Sequence, residues 1–271
     1  MADYDERVAT VATEILAAVR ERLEKHQVTH SEYRAAWRWL IGLAESGEVP
    51  LFLDVFFESV VERLTHDGKP GSPGTVQGPY HLPDAQMLDG DPLVLPMRDD
   101  EPGTPMIFTG KLCGLDGTPV PNALIDMWQA GNDGTYSGFV GDAPAGNLRG
   151  RMRTGADGTF QVRTIRPAPY QIPHSGPTGE FLAMIGMHAW RPAHFHFIIT
   201  ADGYEPLITQ LYFNGDEWLE DGDVVGAVKD SLVIDVRDGT DESLAARFGI
   251  NGSHQVAEYD FVLRPGGANV S

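Results

Sequence analysis

Residues 189–200 read AWRPAHFHFIIT and have the pattern of a β-strand carrying two histidines. Side chains alternate across a strand, so His194 and His196 project together while Phe195 and Phe197 turn to an apolar side. Two imidazoles on one stiff backbone make half of a metal site, because neutral imidazole is a common metal ligand. Arg191, just upstream, adds a charge that cannot be titrated away. A His-x-His pair also arises at surfaces, or as one hydrogen-bonded core histidine with a neighbour, so the rest of the chain has to decide. Tyr136 lies in a loop-like stretch beside Asp133 and Gly134, and Tyr170 lies between Pro169 and Pro173. Prolines restrict their own φ and the residue before them, which holds Tyr170 on an irregular, extended backbone. Packing explains either tyrosine alone. Together with two histidines they point to one metal. Zinc favours Cys, His and carboxylates, and calcium and magnesium take carboxylate and carbonyl oxygens. Phenolate is a hard, strongly donating anion suited to Fe(III), as in haem catalases. Two phenolates, two imidazoles and a solvent hydroxide would leave a ferric ion electrically neutral, which a buried site favours.

The elements that must position these residues fall into two kinds. Residues 5–26 carry Val8, Val11, Ile15, Leu16 and Val19 at helical spacing. A second helix starts near Thr29, where Thr29 and Glu32 form a capping-box pattern, and Gly47 ends it. Pro50 suits the first turn of a third helix, apolar on more than one face, which is expected to be buried between the protein and a second surface such as another subunit. Residues 68–78 are rich in Gly, Pro and Ser and read as a linker. Beyond it, residues 105–113, 119–129, 158–166, 192–200, 206–213, 231–237 and 257–264 read as short strands separated by turn residues. The expected organisation is a helical region (1–67), a linker and irregular segment (68–104) and a mainly β domain (105–271), built as an antiparallel β-sandwich. The tail from Pro265 is expected to fray. A Gly-x-Pro pattern at Gly117 and Pro119, followed by Asp157-Gly158-Thr159-Phe160, is similar to transthyretin-like sandwich domains. Many of those only bind or adhere, which supplies a non-catalytic alternative.

Composition narrows the partners. The net charge of −19 over 271 residues argues against nucleic acid or an anionic membrane as partner. No apolar run is long enough to span a bilayer. The acidic N-terminal residues lack a secretory pattern, so cytoplasmic residence is the expectation. The single cysteine, Cys113, fits a reducing compartment and is expected to be a buried, inert thiol.

Four segments together carry a family resemblance. Gly134-Thr135-Tyr136-Ser137-Gly138, Pro169-Tyr170 with Ile172-Pro173, Trp190-Arg191-Pro192-Ala193-His194 with His196, and Gln210-Leu211-Tyr212-Phe213 resemble the intradiol catechol dioxygenases over essentially the whole chain. The resemblance implies a non-haem Fe(III) held by Tyr136, Tyr170, His194 and His196, and cleavage of a catechol by O2 to a cis,cis-muconate, with both oxygen atoms incorporated. It assigns Tyr170 as the ligand that gives way to the substrate. It assigns Arg191 and Gln210 as the pair that stabilises charge developing on the ring. The segments 51–54, 147–151 and 168–173 look like the chlorocatechol branch, and that similarity puts Leu51, Asp54, Val55, Val76, Pro79 and Tyr80 around the ring, beside Arg191. An apolar wall suits a chlorinated or methylated ring, whereas Asp54 could bond the third hydroxyl of hydroxyquinol. The family also implies a homodimer through the N-terminal helices, with phospholipid bound there. A cupin-like metal enzyme, the other user of His-x-His on a strand, needs a nearby carboxylate and a further histidine; Glu205 is distant, and the tyrosines would have no role.

Overall fold

A computed structural model describes residues 2–139 and 141–266. The N-terminal helices form where the periodicity predicts. Helix α1 (Ala2–Lys25) is followed by α2 (His30–Glu45). Thr29 caps α2: its hydroxyl accepts from the Glu32 N–H at 3.3 Å, and the Glu32 carboxylate accepts from the Thr29 N–H at 2.7 Å. The expected third helix is interrupted. It runs as α3 (Val49–Leu53), a π-helical turn (Asp54–Glu58) and α4 (Ser59–His66). The wider turn holds an extra residue and rotates the face that follows. A helix apolar on several sides hides that rotation from a periodicity reading. Helix α5 (Pro177–Met184) ties the helical region to the sheets, with Trp39 Nε1 donating to the Pro177 carbonyl at 3.0 Å.

Two open sheets make up most of the remainder. One contains β1 (Leu93–Val94), β2 (Pro105–Gly114), β5 (Thr159–Ile165), β11 (Val236–Asp238), β12 (Gln255–Glu258) and β13 (Phe261–Leu263). The other has β10 (Val233–Ile234), β9 (Leu207–Phe213), β8 (His194–Thr200), β3 (Leu124–Gln129) and β4 (Arg149–Arg153), in that spatial order. A small ribbon pairs β6 (Tyr170–Gln171) with β7 (Trp190–Arg191). The sheets share one core: Phe108 of β2 meets Phe195 and Phe197 of β8 with ring centroids 5.4 and 5.6 Å apart. Burying each such ring stabilises the fold by ~1.5–3 kcal/mol.

Several expectations need correction. The pairing is not purely antiparallel: β1–β5, β10–β9, β12–β2 and β13–β2 are parallel. The strand expected from residue 119 begins at Leu124, because Pro119 and Pro121 offer no N–H and Asn122 turns with φ 58°. Residues 231–237 split into a 3₁₀ turn and two short strands in different sheets. Strand β4 escaped notice because three of its five residues are arginine. Cys113 is half-buried rather than buried. The segment read as a linker is docked, with the Ser72 N–H on the Val262 carbonyl at 2.9 Å and the Thr75 N–H on the Ile208 carbonyl at 3.0 Å. The expected fraying falls mostly on residues 267–271, outside the described residues; Pro265 itself bridges to Tyr204. Among the described residues, no helix is long and apolar enough to cross a membrane.

Candidate metal centre

Strand register assembles one side of the site. On β8, His194 and His196 point away from the core that takes Phe195 and Phe197. Directly opposed residues of an antiparallel pair share a face. Gln210 opposes His196 and Tyr212 opposes His194 across β9, while Trp128 of β3 opposes His196 from the other side. Trp128 stacks on the His196 ring at 4.7 Å with an 8° interplanar angle, which fixes the imidazole plane. His194 is oriented by its Nδ1, which donates to the Pro192 carbonyl at 2.7 Å and leaves Nε2 as the acceptor nitrogen.

Loops deliver the tyrosines. After β3 the chain turns tightly: the Gly131 N–H meets the Thr135 carbonyl at 2.8 Å, and Asp133 Oδ1 accepts from the Thr135 N–H at 3.0 Å. Gly134 sits in this turn with φ 77°. A Cβ there would lie 3.1 Å from Tyr170 Cβ, so glycine allows the two tyrosine segments to pack together. Arg149 of β4 clamps the far side of this loop, with Nε donating to Ser137 Oγ at 3.0 Å and its guanidinium 5.8 Å from the Tyr136 ring. Tyr170 is paired in register with Arg191 across the β6–β7 ribbon.

Three donor atoms converge. The Nε2 atoms of His194 and His196 are 2.9 Å apart. The Tyr136 hydroxyl lies 3.0 Å from His196 Nε2 and 3.4 Å from His194 Nε2. The Tyr170 ring packs against Tyr136 and His194, with centroids 5.3 and 5.6 Å away. All four side chains are buried. Burial, aided by the Arg191 charge, pushes His194 down to about 3, and burial, with His194 beside it, holds His196 well below its ordinary value. Both imidazoles are therefore neutral at neutral pH, the form that can bind a metal. Burial and then the Tyr170 phenol raise Tyr136 well above the ordinary range, and burial raises Tyr170 against the opposing pull of Arg191. A highly charged cation inverts that balance and draws out phenolates. Among the described residues no group of three or more His, Cys, Asp or Glu side chains is placed to hold a metal, and the oxygen donor nearest the two histidines is the Tyr136 phenol. This donor set fits ferric iron better than zinc or magnesium.

Beside the donors lies a buried polar network. Arg191 Nη2 donates to Gln210 Oε1 at 2.8 Å and to the Tyr212 hydroxyl at 3.2 Å, and Arg191 Nη1 points at the Tyr170 hydroxyl at 3.5 Å. Gln210 is itself fixed by donating to the Val76 carbonyl at 2.7 Å. A small cavity opens next to this network. Leu51, Asp54, Val55, Val76, Pro79 and Tyr80, the six residues that the resemblance placed around the ring, all line it, together with Tyr170 and Arg191. Burial raises Tyr80 to about 12, so it lines the wall as a neutral phenol.

Sequence reading missed Glu58, Ile172, Pro173 and Val225 in the same wall. Glu58 follows Asp54 by four residues, a helical spacing that could have revealed it. Tyr212 follows Gln210 by two, a strand spacing. Nothing in the local sequence marks Val225.

Residues 76–265 match a family model described as dioxygenase, and residues 5–72 match one described as the catechol dioxygenase N terminus. A chlorocatechol 1,2-dioxygenase from Rhodococcus opacus is 41% identical over 261 residues, 95% of this chain and 98% of that protein. A hydroxyquinol 1,2-dioxygenase from a Rhizobium species is 33% identical over 96% of this chain and 90% of its own. The crystal structure of 3-chlorocatechol 1,2-dioxygenase from Rhodococcus opacus aligns with TM-score 0.88 at 41% identity, covering 96% of this chain and 99% of that one. With both its helical and its sheet portions matched, the chain belongs to the intradiol ring-cleavage dioxygenases, on their chlorocatechol branch.

Proposed function

We propose that this protein cleaves chlorinated or methylated catechols between the two hydroxyl-bearing carbons, using O2 at a non-haem Fe(III) site and giving cis,cis-muconates. The observation that carries the reading is the convergence of His194 Nε2, His196 Nε2 and the Tyr136 hydroxyl within 3.4 Å of one another, with Tyr170 packed beside them. Those four residues would hold the metal. Ferric iron bound there would act as a Lewis acid that activates a catecholate toward O2.

The chain's own residues supply the rest. Tyr170 would hold the metal from the edge of the ring cavity, where its phenol oxygen is placed to take up a substrate hydroxyl proton. Arg191 keeps its charge inside the buried site and turns Nη1 toward that same hydroxyl. It stabilises negative charge on the substrate oxygens and ring. Gln210, locked between Arg191 and the Val76 carbonyl, holds the guanidinium in place. Leu51, Val55, Val76 and Pro79 form an apolar wall that accepts a chlorine or methyl substituent and excludes water.

Asp54 and Glu58 in the same wall favour a second reading, turnover of hydroxyquinol, whose third hydroxyl could donate to a carboxylate. A methylene-sized difference in an apolar pocket changes discrimination by only ~1–3 kcal/mol, so several catechols are expected to react. We further propose a homodimer formed through the N-terminal helices, with phospholipid against their apolar face, working in the cytoplasm as two copies of a β-sandwich domain. The exposed Ile15, Leu16 and Leu64 support it.

The test is the visible spectrum of purified, iron-loaded protein, before and after anaerobic addition of catechol. Tyrosinate-to-iron charge transfer should colour the protein, and the band should move to longer wavelength as catecholate binds. O2 uptake with catechol, chlorocatechols, methylcatechols and hydroxyquinol then ranks substrates. A colourless protein with bound iron would show that the tyrosines are not ligands.

A further inference from the structure

Asp223 lies just beyond α6 (Glu217–Glu220), thirty-two positions from Arg191 in sequence. Its Oδ1 accepts from Arg191 Nε at 3.0 Å and its Oδ2 from Arg191 Nη2 at 3.0 Å. The pair is sealed from solvent, with side chains 2% and 1% exposed. The carboxylate also takes the Val225 N–H at 3.3 Å and the Ala227 N–H at 3.2 Å. Every face of this anion is therefore used. With Nε and Nη2 occupied, Nη1 is the nitrogen that Arg191 has left for the site. It lies 3.5 Å from the Tyr170 hydroxyl and 3.3 Å from His194 Nε2.

We propose that Asp223 is the positioning residue for Arg191. Its two-point grip fixes the plane of the guanidinium, so that Nη1 alone faces Tyr170 and the ring cavity. It also cancels the Arg191 charge. Arg191 without Asp223 would leave one uncompensated charge in a site closed to water. The same carboxylate anchors the backbone that carries Val225 in the cavity wall, so one residue sets both the electrophilic guanidinium and part of the substrate's surroundings. This inference rests on the ferric reading above.

The test uses the iron-loaded full chain and four variants: Asp223→Asn, Asp223→Glu, Arg191→Gln and the Arg191→Gln/Asp223→Asn pair. In Asp223→Asn the amide nitrogen meets a guanidinium donor and the positive charge loses its partner. Iron content should be retained. The charge-transfer band should move to shorter wavelength, because the freed charge stabilises the nearby Tyr170 phenolate. The kcat should fall at least ~10-fold, the scale of outer-shell substitutions at metal sites. Asp223→Glu should return the band to its original wavelength. If Asp223 acts through Arg191, the double variant is no worse than Arg191→Gln alone. In metal-free protein, the double variant should melt above Asp223→Asn, since one unpaired buried charge is worse than none. An Asp223→Asn protein with wild-type band and turnover would overturn the proposal, and so would defects that multiply in the double variant. Should Asp223→Asn fail to fold, a folded double variant supports the pairing and an unfolded one overturns it. If instead the wild-type protein is colourless with iron bound, the ferric reading fails, while the metal-free melting comparison still reads the Arg191–Asp223 pairing.

Discussion

The N-terminal helices and the β-sheet domain treat apolar residues in opposite ways. In the sheets, Phe108, Phe195, Phe197 and Phe261 are fully buried, and the polar groups that accompany them are held in the Arg191–Gln210–Tyr212–Asp223 network. On α1, Ile15 and Leu16 are 58% and 54% exposed, and on α4, Leu64 is 75% exposed. A lone exposed leucine needs no explanation, but an apolar stripe along two helices does. The sheets turn their largest apolar rings inward, whereas α1 and α4 turn several of theirs outward. The proposed chemistry lies in the first region and the proposed assembly face in the second, and the π-helical turn between α3 and α4 carries Asp54, Val55 and Glu58 into the cavity wall.

The division can be broken or sharpened by experiment, beginning with the largest effect. Tyr136→Phe should bind little iron, lose the visible band and show background turnover, while circular dichroism reports an intact fold. Arg191→Ala should keep iron and colour but lose ~10²–10³-fold in kcat, the scale for removing one preorganised charge-stabilising donor; full activity would remove Arg191 from the mechanism. Ile15→Asp with Leu16→Asp should shift the light-scattering mass from dimer to monomer and leave the charge-transfer band unchanged. A lost band in that variant would mean that assembly and chemistry are not separable. The smallest effect concerns Glu58, whose carboxyl is raised above its ordinary value by burial and then by Asp54. A raised carboxyl is tolerated best when protonated: its contribution to stability is full below its unfolded value of 4.5 and lost as pH rises through the folded one. Glu58→Gln should thus raise the melting temperature near pH 7 by ~2 °C at most, and the gain should vanish below pH ~4. A gain that persists in acid would assign the effect to packing.

Much of the site was legible because its determinants are local. His-x-His on a strand fixes a shared face through two-residue alternation, and the Arg191 to His196 string lies within one turn and strand. Tyr136 and Tyr170 were found through their glycine and proline neighbours, and the structure brings both to the histidines. The ring-cavity residues from α3 and the docked segment also came together, because the family pattern carries those positions. What escaped was one-residue or long-range in nature. A π-helical insertion changes facing without changing composition. Strand β4 is built from arginines whose long stems cover apolar surface while their heads bond to backbone, as Arg151 does with the Ala85 carbonyl at 2.7 Å. The parallel pairing of β12 and β13 with β2 joins segments far apart in the chain.

The sequence by itself determined the helical and sheet regions and the four donor candidates, because residue type and short-range spacing settle donor chemistry and facing. Only the tertiary structure decided that Asp223 grips Arg191, that Val225 enters the cavity, and that a glycine- and proline-rich stretch is docked rather than loose. Those outcomes depend on contacts between residues far apart in the chain, where closing a long loop leaves no periodic trace in the sequence.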